Sequence, residues 1–279
     1  MLLRRVLAAL VGGPVFLTLV YVGGWPLVAT VTLLISIGLS EYARLARASG
    51  ARIPTVLLAV AGLLPLLAGK LGGAGAAAQM VLVPVAIALL LPVFSGMGRS
   101  GGTSSGDGGY KAPPVYTVTD GAFFLLGSVY MGLLYPYILY LRAEGLYAVG
   151  LLIAATWVGD TAAYFAGMNW GRHPLLPKVS PKKTVEGAVV GLAGSAVAGA
   201  LVAYVAFHPA WQGLVSGAVV GLVGQVGDLA ESALKRYAGI KDSGVLIPGH
   251  GGVLDRFDSM VAAAPVLYYM FMWFGWGVR

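Results

Sequence analysis

Cysteine is absent from the 279 residues, which excludes disulfides and thiolate metal sites. Charge is nearly as scarce. Asp, Glu, Lys and Arg make up 10% of the chain, against about 25% in ordinary soluble domains. A soluble protein of this length could not cover its surface with so few charges. No Walker A loop occurs, so P-loop nucleotide chemistry is excluded, and no internal repeat is evident.

What the chain has instead is apolar sequence, 58% of it, with a net charge of +7. That balance suits an anionic lipid surface or a polyanionic substrate. A spanning helix needs about 20 apolar residues. Reading at that length predicts an all-α polytopic membrane protein with about nine transmembrane helices, near 5–22, 25–41, 53–69, 78–94, 119–141, 146–168, 186–207, 210–227 and 253–275. The basic start and apolar run at the N-terminus look like a signal peptide. They are read as a retained first helix, because no clean cleavage site follows and further spans come next.

The basic residues orient this layout. With the N-terminus inside, 15 of the 18 Lys and Arg residues fall in cytoplasmic loops and 3 (Lys70, Arg142 and Arg279) outside. The positive-inside rule therefore predicts a cytoplasmic N-terminus and an external C-terminus. It also gathers every charge-rich loop on one face. Residues 95–118 are rich in Gly and Ser and read as a flexible cytoplasmic linker. Their Gly-Asp-Gly-Gly lacks the alternating ligands of a calcium loop. The expected organisation is a four-helix region at 1–94, the linker, and a five-helix catalytic region at 119–279.

Small residues recur every four positions at Gly187, Gly191, Ser195 and Gly199, and again at Gly213, Gly217 and Gly221. Each set lies on one helix face, where backbones can approach closely. Packing within the chain is preferred to a homodimer seam.

Residues 232–258 interrupt this apolar background with Lys235, Arg236, Lys241, Asp242, Asp255, Arg256 and Asp258, plus His250. If the eighth helix continues outward, Asp228, Ser232 and Lys235 share a face. Asp255 and Asp258 share another at the start of the ninth. Three carboxylates at one surface suit a hard divalent ion, which takes one or two carboxylates plus substrate phosphates. Helix-dipole stabilisation explains Asp255 or Asp258 singly, not the set. Gly249, Gly251 and Gly252 permit close backbone approach to an anion, and the Lys and Arg residues add donors for phosphate. His250 is read as a phosphate donor or proton carrier as readily as a structural residue; His173 and His208 are read as structural. A second cluster, Ser180, Lys182, Lys183, Thr184 and Glu186, precedes the seventh span. It suits phosphate, though a positive-inside anchor with Thr184 as N-cap explains it nearly as well. Asp160, inside the sixth span, is a functional candidate by its cost in a membrane; a hydrogen bond to Thr161 is the plainer alternative. Asp120 reads as a cap.

Together these motifs resemble the integral-membrane phosphatidate cytidylyltransferases. The matching run is Ser232, Lys235, Arg236, Lys241, Asp242, His250, Gly251, Gly252, Asp255, Arg256 and Asp258. Upstream, Asp160, Ala163 and Tyr164 match, as do Ser180 to Thr184, Glu186 and Gly187. The resemblance implies that CTP and phosphatidic acid are joined to give CDP-diacylglycerol and pyrophosphate. It implies Mg²⁺, with K⁺ as a second cation. With Asp228 from the residue reading, the expected catalytic set is Asp228, Asp255, Asp258, Lys235, Arg256 and His250, and the expected substrate-binding set is Asp160, Ser180, Lys182, Lys183, Thr184, Glu186, Ser232, Arg236, Lys241, Asp242, Gly249, Gly251 and Gly252. Asp228, Asp255 and Asp258 are the expected metal ligands. The expected setting is the inner or plasma membrane with the site facing the cytoplasm, and no nucleic-acid partner. The alternatives are a CTP-dependent polyprenol or phytol kinase and a secondary transporter, which lacks support because the charges crowd one surface.

Overall fold

A computed structural model describes residues 2–97, 116–244 and 251–276, with side chains from residue 11 onward and to residue 93 in the first segment. His250, Gly249, residues 98–115 of the expected linker and Arg279 lie outside the described residues.

The described residues form ten α-helices and one small hairpin: α1 (Leu2–Val22), α2 (Gly24–Ala48), α3 (Thr55–Gln79), α4 (Leu82–Met97), α5 (Val118–Gly127), α6 (Tyr137–Glu144), α7 (Leu146–Trp170), β1 (Pro174–Leu176), β2 (Ser180–Thr184), α8 (Val185–Val205), α9 (Ala210–Tyr237) and α10 (Leu254–Phe274). Among the described residues, seven stretches are long and apolar enough to cross a membrane, with Val11–Val22 and Leu82–Val93 as shorter apolar helices.

Two stretches depart from simple spans. The region expected as one helix at 119–141 is broken: α5 passes through a π-helical turn at Ser128–Leu133 before α6 begins beyond Pro136. Proline offers no amide to an intrahelical bond, so the helix restarts there. Gly132 sits against Gly62 of α3, and a Cβ there would lie 2.4 Å from the Gly62 carbonyl oxygen. α3 is kinked at Gly72 and Gly73, the second with φ of 72°, a conformation glycine adopts without penalty.

α7, α8 and α9 pack in series, with α10 against α9. The fourfold small-residue faces provide the contact. A Cβ on Gly191 would meet the Gly159 carbonyl oxygen of α7 at 3.0 Å, and one on Gly217 would meet the Ser195 carbonyl oxygen of α8 at 2.2 Å. Ser195 Oγ donates to the Ala155 carbonyl oxygen at 2.8 Å. These faces are used within the chain, as their spacing predicts.

Chain direction then brings one set of helix ends together: the C-terminal ends of α2, α7 and α9, and the N-terminal ends of α8 and α10. At the opposite ends, Trp276 accepts at its carbonyl oxygen from the Tyr147 hydroxyl and donates from Nε1 to Gln212 at 2.5 Å. His208 stacks on Trp276 at 4.6 Å between centroids, a structural use of that histidine.

Candidate active site

α9 runs without a break past the expected span end at 227 to Tyr237. Asp228, Glu231, Ser232 and Lys235 therefore lie on its last turns, and Ser232 Oγ donates to Asp228 Oδ1 at 3.4 Å. The hairpin is held beside them. Thr184 caps α8 by accepting from the Gly187 amide at 3.1 Å. Arg236 Nε donates to the Val179 carbonyl oxygen at 3.3 Å.

These elements enclose an open cavity of about 1300 Å³. Its wall carries carboxylates from three helices: Asp160 of α7, Asp228 of α9, and Asp255 and Asp258 of α10. Facing them are Lys182 and Lys183 of β2, Lys235, Lys241 and Arg256, with Thr184, Asp242 and Gly251 nearby. Tyr164, Met168 and Leu175 add an apolar flank. The two basic constellations thus meet in one space, since the α8–α9 hairpin returns the chain to its starting face.

Not every expected residue reaches the cavity wall. Ser180, Glu186, Ser232, Arg236 and Gly252 do not line it. Glu186 accepts instead from the Arg172 and His173 amides and pairs with His173 Nδ1 at 2.6 Å, fastening the hairpin base to α8. Arg236 braces the hairpin turn as described above. Asp120 is a cap: it forms a reciprocal capping box with Thr117 and accepts from the Arg52 amide at 2.6 Å.

The four carboxylates differ in engagement. Asp255 is the most committed. Its Oδ1 takes Lys235 Nζ at 2.5 Å, and its Oδ2 accepts from the Gly252 amide at 2.8 Å and from the Ser243 amide and hydroxyl at 3.0 and 2.7 Å. Gly252 lies two residues before α10, so its bond ties the approach of the chain to the first turn of the helix. Asp228 pairs with Lys183 at 2.5 Å. Among the described residues, Asp258 accepts only from the following amide, Ser259, at 2.6 Å. Asp160 makes no hydrogen bond or ion pair among the described residues, and Thr161 donates to the Trp157 carbonyl oxygen rather than to it.

Among the described residues no group of three or more His, Asp or Glu side chains stands close enough to hold a metal ion. The reason is visible in the pairing: Asp255 is spent on Lys235 and the loop, and Asp228 is drawn to Lys183. The donor chemistry nevertheless suits Mg²⁺. Asp228 and Asp258 line one cavity with hard oxygens, and this ion needs only one or two carboxylates when phosphates complete its shell.

Sequence similarity agrees with this assembly of motifs. The model of the Cytidylyltransferase family matches residues 3–274. The chain belongs to this family. It is 33% identical to the phosphatidate cytidylyltransferase of Synechocystis sp., with 95% of each chain covered. It is also 33% identical to the phosphatidate cytidylyltransferase of Staphylococcus aureus (strain COL), over 94% of this chain and 96% of that one. A third relative of that name, from Staphylococcus saprophyticus, is 42% identical over 54% of this chain and 59% of its own. The resemblance carried by the motifs between Asp160 and Asp258 thus holds over nearly the whole length.

Three residues near the site are not among the expected site residues. Glu231 is 2% exposed and pairs with Lys235 at 2.5 Å. Ser243 lies between Asp255 and Glu41 of α2, with its Oγ 3.4 Å from Glu41 Oε2. Glu41 is wholly buried. A signal for Glu41 is present: it is a lone acid in an apolar helix. Its neighbours Arg44 and Arg47 make that end of α2 read as an interfacial anchor.

Proposed function

We propose that this family member joins CTP to phosphatidic acid, giving CDP-diacylglycerol and pyrophosphate for phospholipid synthesis. The observation that carries the reading is one cavity holding five carboxylates and five cationic side chains beside an apolar flank. That combination suits two polyanionic reactants, one of them a lipid.

A phosphate oxygen of phosphatidate attacks the α-phosphorus of CTP. The bond from that phosphorus to the oxygen bridging to the β-phosphate breaks, and pyrophosphate leaves with the electron pair. The attacking oxygen is already anionic at neutral pH, so no strong general base is required. The barrier lies in bringing two polyanions together. Lys182, Lys183, Lys241 and Arg256 orient and neutralise phosphates, Arg256 with a planar fork that can bind two oxygens at once. Asp228 and Asp258 would hold Mg²⁺, with Asp160 beside them; bound there, it supplies charge neutralisation for the reacting phosphates and the leaving group. Asp255 acts differently. With Lys235 it fixes the start of α10, which presents Arg256 and Asp258. Tyr164, Met168 and Leu175 form the side of the cavity suited to glycerolipid chains.

The membrane reading goes with this chemistry. Nine crossings, with the N-terminus in the cytoplasm and the C-terminus outside, put the cavity at the cytoplasmic surface of the inner or plasma membrane. The alternation of helix directions supports that count if α1 and α4 also cross and α5 to α6 crosses once.

The test is incubation of purified protein with phosphatidate, Mg²⁺ and CTP labelled in the α-phosphate. Label should enter the lipid as a cytidine diphosphate ester, with equal release of pyrophosphate. Release of CDP with γ-phosphate transferred to a lipid would instead establish a lipid kinase and overturn the proposal.

A further inference from the structure

The side chain of Glu41, in the C-terminal half of α2, is far in sequence from the signature residues, yet it meets residues on both sides of 245–250. Its Oε2 accepts from the Leu254 amide at 3.1 Å and lies 3.4 Å from Ser243 Oγ. Ser243 is shared: the same hydroxyl lies 2.7 Å from Asp255 Oδ2. The carboxylate also occupies the space where two side chains would begin. A Cβ on Gly244 would fall 2.2 Å from Glu41 Oε1, and one on Gly252 would fall 2.3 Å from Oε2 and 2.4 Å from Oε1. Residues 244 and 252 are therefore glycines against one carboxylate. Glu41 Oε1 is buried without a hydrogen-bond partner among the described residues.

A buried carboxylate is costly unless its oxygens are satisfied. Keeping one here is reasonable if its contacts fix something that hydrophobic packing would leave loose. What it fixes is the first turn of α10. Leu254 is the residue before Asp255, and Ser243 is the second donor on Asp255. Displacement of this turn moves Arg256 and Asp258 together. Geometry at a reacting centre is unforgiving, since a misplacement of about 1 Å can cost a hundredfold in rate.

We infer that Glu41 is a positioning residue for the cytidylyl-transfer site: it clamps Ser243, Gly244, Gly252 and Leu254 so that α10 presents Arg256 and Asp258 to the cavity. It touches no substrate. What matters is an acceptor oxygen at the reach of a glutamate side chain, not a negative charge. The inference rests on the proposed reaction, but its test reads a rank order among variants, which survives even if the natural lipid acceptor differs.

The experiment compares E41Q, E41D and E41A in purified full-length protein, with CTP turnover, CTP KM and thermal unfolding measured for each. Gln keeps an acceptor at the same reach, so E41Q should retain kcat within about threefold. Asp keeps the charge but withdraws the oxygen by one methylene, so E41D should lose about tenfold or more in kcat. E41A should fall at least as far, while CTP KM changes less than kcat in all three. A merely structural role would make loss of activity follow loss of unfolding temperature instead. If E41A does not fold, the order of the other two decides. E41D more active than E41Q would show that charge is required and overturn the clamp, as would wild-type kcat in E41D or E41A.

Discussion

Lys183 of β2 and Asp228 of α9 form an ion pair at 2.5 Å, with each side chain about 30% exposed. All of α8 and most of α9 lie between them in the chain. The pair ties the hairpin cluster to the carboxylate cluster and holds the lysine proposed to bind phosphate against the acid proposed to hold Mg²⁺. In the proposed reaction, Lys183 would be available to phosphate and Asp228 to Mg²⁺ only when this pair opens.

The first prediction follows from those proposed roles. Asp228→Asn and Asp258→Asn should each lower turnover by at least a hundredfold while the protein stays folded, because each removes charge with little change of shape. Asp255→Asn should also be inactive, but with a lower unfolding temperature, since its carboxylate holds Lys235 and the loop. The check is lipid-linked cytidine formed across a Mg²⁺ titration, alongside thermal unfolding. Near-normal activity of both Asp228→Asn and Asp258→Asn at ordinary Mg²⁺ would remove the metal assignment.

Much of this architecture is legible in the sequence for simple reasons. Long apolar runs give helix positions, fourfold glycines give the α7–α8–α9 contacts, and Thr184 and Asp120 read as caps. Contacts between distant segments are a different matter. Asp255 looks like a metal ligand by spacing, yet its oxygens are taken by Lys235, Ser243 and Gly252. Glu41 gives no local sign that it meets Leu254. The break at Pro136 is hidden by flanking apolar residues that satisfy the length criterion for a span, and the hairpin at 174–184 is too short and too basic to show strand periodicity.

The second prediction concerns Lys235, which bridges Glu231 and Asp255 at 2.5 Å to each. Its side chain is 15% exposed, and those of Glu231 and Asp255 are 2% and 8% exposed. Removing one partner from a buried ion pair costs about 3–5 kcal/mol, because the charge left behind is unpaired. Lys235→Met should therefore lower stability by an amount of this order, and Glu231→Gln added to it should recover part of the loss. Denaturation in mild detergent measures both. Equal stability of Lys235→Met and the parent protein would mean that the network does not hold the end of α9 to α10.

A third prediction separates packing within the chain from a seam between copies. The new methyl in Gly217→Ala would lie 2.2 Å from the Ser195 carbonyl oxygen, which is backbone and cannot turn away. Overpacking of this kind typically costs about 1–3 kcal/mol. The expected outcome is a lower unfolding temperature with unchanged particle mass in detergent. A halved mass with unchanged unfolding temperature would instead assign the glycine face to a dimer.

The last prediction is topological, and the absence of cysteine makes it clean: each introduced thiol is the only one in the chain. Ile240 follows α9 on the face that carries the cavity, whereas Phe207, 98% exposed, lies in the turn between α8 and α9 at the other end. With the cavity at the cytoplasmic surface, Phe207→Cys in intact cells should react with a membrane-impermeant maleimide. Ile240→Cys should react only after the membrane is opened. The total number of spans does not affect this outcome, because the two positions flank a single helix, α9. Reaction at Ile240→Cys alone in intact cells would turn the molecule over. The carboxylate cavity would then face away from the compartment where CTP is made, and the proposed reaction would lose its nucleotide supply.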